Sequence, residues 1–200
     1  MSEFVRKAPR QRRSRETVDT LLEAAAQMFT REGLATTTNR IAERAGLSVG
    51  TLYQYFPNKH ALLRAIAERH LAEATVRLDA VFAELRVTRP EFDDTMRTIV
   101  EAVVDLHRDR PALHALLHRV APRLPEEVEA VQAFEDHLVA EVAFHLERCG
   151  HGGADPVYLA RTLVHAIDAH LHRVLTRHRL DVDALMLLAR RIIAAPTAQR

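Results

Sequence analysis

Residues 36–63 read TTTNRIAERAGLSVGTLYQYFPNKHALL and hold two of the chain's three tyrosines and one of its two lysines. The spacing predicts two short helices joined by a tight turn. Thr37 is the expected N-cap of the first, with Ile41, Ala42 and Ala45 on its inner face. Gly46 ends that helix, Leu47 plugs the turn, and Ser48 is placed to cap the second helix. Ala45 and Gly46 are small, so the second helix can cross closely. In it Leu52 and Phe56 are four apart and point inward, whereas Thr51 and Tyr55 are four apart on another face.

The outward face of this second helix offers the hydroxyls of Thr51, Tyr53 and Tyr55 and the amide of Gln54, with no negative charge. That chemistry suits phosphate oxygens and base edges in a major groove. Gly50 removes a side chain where a backbone has to come close to a partner. Lys59 falls in the first turn of the next helix, where free N–H groups already favour an anion. The plainer alternative is that Tyr53 and Tyr55 cover the surface of a small domain.

The bulk numbers agree with a helical protein. Of 200 residues 48% are apolar but 5% aromatic, with no Trp and six Gly, so the core is built from Leu, Ala, Val and Ile. The net charge of +1 hides an asymmetry: residues 1–15 carry six basic side chains against Glu3, which leaves the remainder acidic. A basic arm on an acidic body suits a polyanion. The single Cys149 excludes an intramolecular disulfide and fits a reducing compartment. No apolar run is long enough for a signal peptide or a membrane span, so the expected location is the cytoplasm, with no membrane partner.

Pro and Gly cut the chain into nine expected helices: about 15–32, 38–46, 49–56, 58–86, one after Pro90, one from Pro111 to Pro122, then 126–148, 156–179, and a last one from Asp181 or Asp183 to Pro196. There is no strand alternation and no repeat. The expected fold class is all-α, with a basic, disordered arm over 1–14, a DNA-binding domain over 15–74 and a second helical domain over 75–200.

The segment 36–63, with LLEAAAQMFTREG before it, closely resembles the DNA-binding part of the tetracycline-repressor (TetR) family, over residues 15 to 70. The resemblance implies a homodimeric, all-helical transcription factor: three N-terminal helices read a palindromic operator in double-stranded DNA, and the rest binds a small effector and dimerises. It implies phosphate contacts at the start of the second helix from Thr37 and Thr38, with added reach from Asn39 or Arg40. It places Ser48, Val49, Gly50 and Thr51 nearest the bases, Tyr53 and Tyr55 on backbone or bases, Gln54 at a specificity position and Lys59 as phosphate anchor. A repressor released by its ligand is the expected mechanism. No cofactor is implied, and no GxSxG, HExxH or P-loop suggests an enzyme.

Beyond residue 75 the unusual feature is histidine. Ten of twelve lie from His107 onward, with His114 and His118, His137 and Glu141, and Glu141 and His145 each four apart, and Arg161, His165, Asp168 and His172 on one stripe. These read as solvated faces pairing histidines with acids. They also read as polar handles of an effector pocket, for which His114, Leu117, His118, Phe134 and His170 are the candidates. Spacing of four permits metal chelation too, but no Cys cluster supports it, and no metal site is expected. The apolar faces of the last two helices, Leu159, Leu163, Ile167, Leu171 and Val174 with Leu185, Leu188, Ile192 and Ile193, are expected to pair across a two-fold axis.

Overall fold

The computed structural model describes residues 8–108, 111–120, 125–174 and 181–193. Among them are nine α-helices and no strand: α1 Ala8–Glu32, α2 Thr38–Ala45, α3 Val49–Tyr55, α4 Lys59–Thr88, α5 Phe92–Arg108, α6 Pro111–Val120, α7 Pro125–Arg148, α8 Pro156–Ala169 and α9 Val182–Ile193. A short 3₁₀ turn, Gly33–Ala35, follows α1, and a π-helical turn, His170–Val174, continues α8. The chain divides into two units between Arg69 and His70, inside α4, rather than after residue 74.

Helix α1 begins at Ala8, so residues 8–14 are helical and not part of a disordered arm. Arginine and glutamine are good helix formers, and Arg12 pairs with Glu16 one turn on, 3.3 Å away. Residues 1–7 of the expected arm lie outside the described residues.

The first unit buries one apolar stripe from each helix. Leu21, Leu22, Ala25, Met28 and Phe29 of α1 lie inside with Ile41 and Ala42 of α2, Leu52 of α3, Phe56, and Leu62 and Ile66 of α4. Polar ties fix α2 on α1. Arg44 Nε donates to Gln27 Oε1 at 2.7 Å, and Arg40 meets Glu32 at 2.7 Å.

The second unit has its own core, centred on Leu78, Phe82 and Leu85 of α4, Met96 and Val100 of α5, Val142 and Leu146 of α7, Leu163 and Ile167 of α8, and Leu185 and Met186 of α9. The apolar faces of α8 and α9 contribute to this core. Leu163, Ile167, Leu171 and Leu185 are buried, and Leu159, Ile192 and Ile193 pack against the same core. Within one chain α9 packs on both α5 and α8, which gives its stripe a partner that periodicity alone does not reveal. The large apolar side chains these two helices leave exposed are Val157, Tyr158 and Leu187.

Candidate nucleic-acid interface

Caps set the geometry of α2 and α3. Thr37 Oγ1 accepts from the Arg40 N–H at 3.3 Å, and Ser48 Oγ accepts from the Thr51 N–H at 3.0 Å. Gly46 closes α2 in the left-handed region, φ 67°, and the Leu47 N–H reaches back to the Ala42 carbonyl at 3.0 Å. That turn needs a residue without a Cβ penalty, so the glycine fixes where α3 starts.

With Leu52 and Phe56 inside, α3 is anchored by its inner face, and its other side carries polar reach. Ser48, Val49, Gly50, Tyr53 and Gln54 are exposed; Thr51 and Tyr55 are half-buried. The Tyr53 hydroxyl lies 3.0 Å from Thr38 Oγ1, which joins α3 to the start of α2. The Ser48 and Thr51 hydroxyls lie 2.8 Å apart. Thr37 and Asn39 are exposed at the α2 start and Thr38 is half-buried. The structure thus gathers ten of the expected DNA contacts onto α3 and the N-terminal turn of α2.

Lys59 is placed differently from a bare phosphate anchor. Its Nζ donates to the Leu34 carbonyl at 2.6 Å and to the Thr36 carbonyl at 3.2 Å, so it holds the connection between α1 and α2. A helix-start lysine signals positive charge in sequence; the carbonyls that receive it are 25 and 23 residues away and leave no sequence trace. At Gly50 an added Cβ would meet Ser48 Oγ at 3.7 Å, an ordinary contact. The fold of this chain does not require a glycine there.

A family model described as bacterial regulatory proteins of the tetR family matches residues 21–66. A second, described as the tetracyclin repressor-like C-terminal domain, matches residues 92–195, more than half of the chain. The chain belongs to the TetR family. A curated relative, an uncharacterised helix-turn-helix transcriptional regulator YvkB of Bacillus subtilis, is 40% identical over 57 residues, which are 28% of this chain and 30% of that protein. Another, MT1294 of Mycobacterium tuberculosis, is 30% identical over 118 residues, 58% of this chain and 56% of it. The chain thus spans between about a third and just over half of the curated relatives it matches. A solved TetR-like regulator from Rhodococcus sp. RHA1 shares the fold with a TM-score of 0.66 at 24% identity, over 88% of this chain and 93% of that one. A TetR/AcrR-family regulator from Thermobifida fusca does so with 0.69 at 20% identity, over 92% and 100%. In this TetR-family protein α2 and α3 lie within the residues matched by the first model and form its helix-turn-helix.

In the second unit of the TetR-family chain the effector candidates separate. Leu117 is buried on α6, Phe134 of α7 packs against the core, and His170 is half-buried in the π turn. His114 is half-buried, its ring 4.3 Å from that of His70 and 4.9 Å from that of His107. The side chain of His118 lies outside the described residues. An open cleft of about 530 Å³ sits elsewhere in this unit, lined by Glu91, Phe92, Asp93, His151, Arg190 and Ile193, and His114, Leu117, Phe134 and His170 are not among its lining residues.

The reading of the histidines as solvated faces paired to acids holds for His137, 2.6 Å from Asp79, and fails for His145. His145 is in the core, stacked 6.1 Å from Phe82, because its place on α7 falls beside Val142 and Leu146. Arg148 Nε donates to its Nδ1 at 3.3 Å, so Nε2 carries the hydrogen, buried with no hydrogen-bond partner among the described residues. Burial, with Arg148 beside it, holds its pKa below the usual imidazole value. Its neighbour Glu141 pairs with Arg86 at 2.9 Å, and the Arg86 guanidinium lies 3.8 Å over the Phe144 ring. Sequence reasoning gave no weight to His70 and did not join it to His107 and His172. Their separations along the chain leave no periodic signal.

Proposed function

We propose that this regulator represses transcription by occupying a palindromic operator as a homodimer, and leaves it when a small organic effector binds the second unit. The observation that carries the reading is the face of α3. It presents hydroxyls and an amide with no carboxylate, on a helix fixed by Gly46, the Ser48 cap and the buried Leu52. Ser48, Val49, Gly50 and Thr51 approach the bases, Gln54 and Tyr53 extend the readout, and Tyr55 donates to a phosphate. Thr37, Thr38 and Asn39 meet the backbone at the N-terminus of α2. Lys59 supports that contact by holding the Leu34 and Thr36 carbonyls, and its charge adds to the positive field. The exposed arginines of α1, Arg12, Arg13 and Arg15, extend that field.

A dimer places two such motifs about 34–36 Å apart, one helical turn of DNA. The apolar side chains left on α8 and α9, Val157, Tyr158 and Leu187, are the candidates for the surface between copies. An effector coupling of about 1–3 kcal/mol reduces operator affinity roughly 5- to 150-fold. The protein acts in the cytoplasm, catalyses nothing and needs no cofactor. Selecting fragments of the source genome on the full chain, at two salt concentrations, tests the reading. A common inverted repeat with a steep salt dependence is expected, and selection of no shared sequence would refute it.

A further inference from the structure

Four histidines from four elements meet in the second unit: His70 on α4, His107 on α5, His114 on α6 and His172 in the π turn after α8. Ring centroids lie 4.3 Å apart for His70 and His114, 4.9 Å for His107 and His114, and 4.8 Å for His107 and His172. The hydrogen bonds of the last pair settle where its protons are. His107 Nδ1 is 2.7 Å from the Val103 carbonyl oxygen. His172 Nδ1 is 2.9 Å from Asp168 Oδ1 and 3.1 Å from the Asp168 carbonyl oxygen. Carbonyl and carboxylate oxygens accept, so each Nδ1 carries a hydrogen. The two Nε2 atoms then face each other at 3.1 Å. Two neutral rings protonated on Nδ1 would set lone pair against lone pair at a hydrogen-bond distance. One more hydrogen, on either Nε2, turns that repulsion into a bond.

We propose that His107 and His172 share one additional proton and so form an acid-stabilised latch between α5 and the π-helical end of α8. The pair holds three protons on four ring nitrogens. Asp168, against the His172 ring, supplies the countercharge, and Glu73 on α4 adds to it near His70. His70 and His114 face the pair from α4 and α6 and oppose a second positive charge. His107 is the neutral acceptor: burial first, and then the neighbouring His172 and His70, push its pKa down to about 4, against the Val103 carbonyl and Asp168. Burial, with His172 next to it, lowers His70 as well. The π turn is a second sign, since such turns recur where a helix is adapted to a function. It begins at His170 and places His172 on the pair.

A metal ion would use the same Nε2 lone pairs, with Nδ1 held by an oxygen in the same way. Among the described residues, however, no three His, Cys, Asp or Glu side chains are placed to hold one. A proton needs two partners and fits the pair as it stands. The latch is present on the acid side of the pair's own titration and is lost as pH rises through it, because one ring must then offer a lone pair to Asp168 or to its neighbour. It is also lost in strong acid, where His107 takes a proton and two imidazolium rings face each other. This regulation is independent of which residues of α3 touch DNA.

The test is an imidazole ¹⁵N–¹H titration of the full chain, labelled on histidine, across the range in which histidine responds, about pH 5 to 9. Near the acid end the unmodified chain should show one exchange-protected Nε2–H shared between two rings, and this signal should vanish at the alkaline end. His107→Gln and His172→Gln should each abolish it while the His137 signals persist. The proposal is overturned if both rings of the unmodified chain remain Nδ1–H neutral throughout, or if they titrate as two independent imidazoles. Stoichiometric zinc binding that either substitution abolishes would also overturn it, in favour of a metal. Because the unmodified spectrum decides, a substitution that fails to fold leaves the result intact.

Discussion

The hydroxyl of Tyr53 lies 3.0 Å from Oγ1 of Thr38, so the exposed face of α3 is tied to the first turn of α2. The two segments proposed to meet DNA are thus held by a bond between two of their own candidate contact residues. Tyr53→Phe removes that bond on an exposed site. Stability should change by less than about 1.5 kcal/mol, the upper range for a neutral hydrogen bond. Operator affinity should fall while thermal unfolding stays near the parent value, and equilibrium DNA titration with calorimetry distinguishes the two.

Tyr55→Phe keeps a half-buried ring and loses a hydroxyl. If that hydroxyl donates to phosphate, affinity drops by about 1.5–3 kcal/mol. Leu52→Ala is the control: Leu52 is fully buried, so it should cost about 2–5 kcal/mol of stability and weaken DNA binding only by loosening α3. Early melting of Tyr55→Phe with normal DNA binding would reverse the assignment of that face.

Gly50 gives a test without a folding cost. An alanine there meets Ser48 Oγ at 3.7 Å, and Ala is the better helix residue by about 0.5–1 kcal/mol. Gly50→Ala should therefore leave the chain as stable or more so. Operator affinity should fall nonetheless, since the new methyl stands where the helix backbone approaches DNA. Equal affinity would mean that α3 never comes that close.

Lys59 makes two charge-assisted hydrogen bonds to the connection between α1 and α2. Lys59→Met should destabilise the first unit by about 1.5–3 kcal/mol. Chemical unfolding followed by hydrogen exchange in α2 measures this. An unchanged exchange rate in α2 would make Lys59 a bystander to the fold.

Once the pair holds its shared proton, further acid should weaken the second unit in a defined direction. The His107 pKa is pushed by burial down to about 4, below its ordinary value of 6.5, so the unfolded chain takes up a proton that the folded chain refuses. The stability associated with neutral His107 is complete above about 6.5 and drains as pH falls toward 4, by no more than about 3 kcal/mol. His145, also lowered by burial, acts in the same sense. His107→Asn should flatten the pH dependence of unfolding free energy over that interval.

Much of the first unit was legible because its signals are local. Thr37, Gly46 and Ser48 act within one turn of where they stand, and the spacing of Leu52 and Phe56 fixes which side of α3 is buried. The reach of Lys59 to the Leu34 and Thr36 carbonyls was not legible, because it depends on how α4 crosses the α1–α2 connection. In the second unit apolar periodicity located α8 and α9 but not their partners. A stripe reports that it must be covered, and within one chain both α5 and α8 cover α9. His145 was misread because a four-residue spacing from Glu141 suggested one polar stripe, whereas α7 turns His145 toward Phe82.

The π turn His170–Val174 makes the register of everything after it depend on a single residue. Its i→i+5 bonding holds one residue more than regular α-winding would. Deleting one residue ahead of His172 would restore regular winding and swing that imidazole about 100° around the axis. Leu171, now buried, would leave the core by the same rotation. A chain with regular winding there would have to meet His107 from another position or lack the pair altogether.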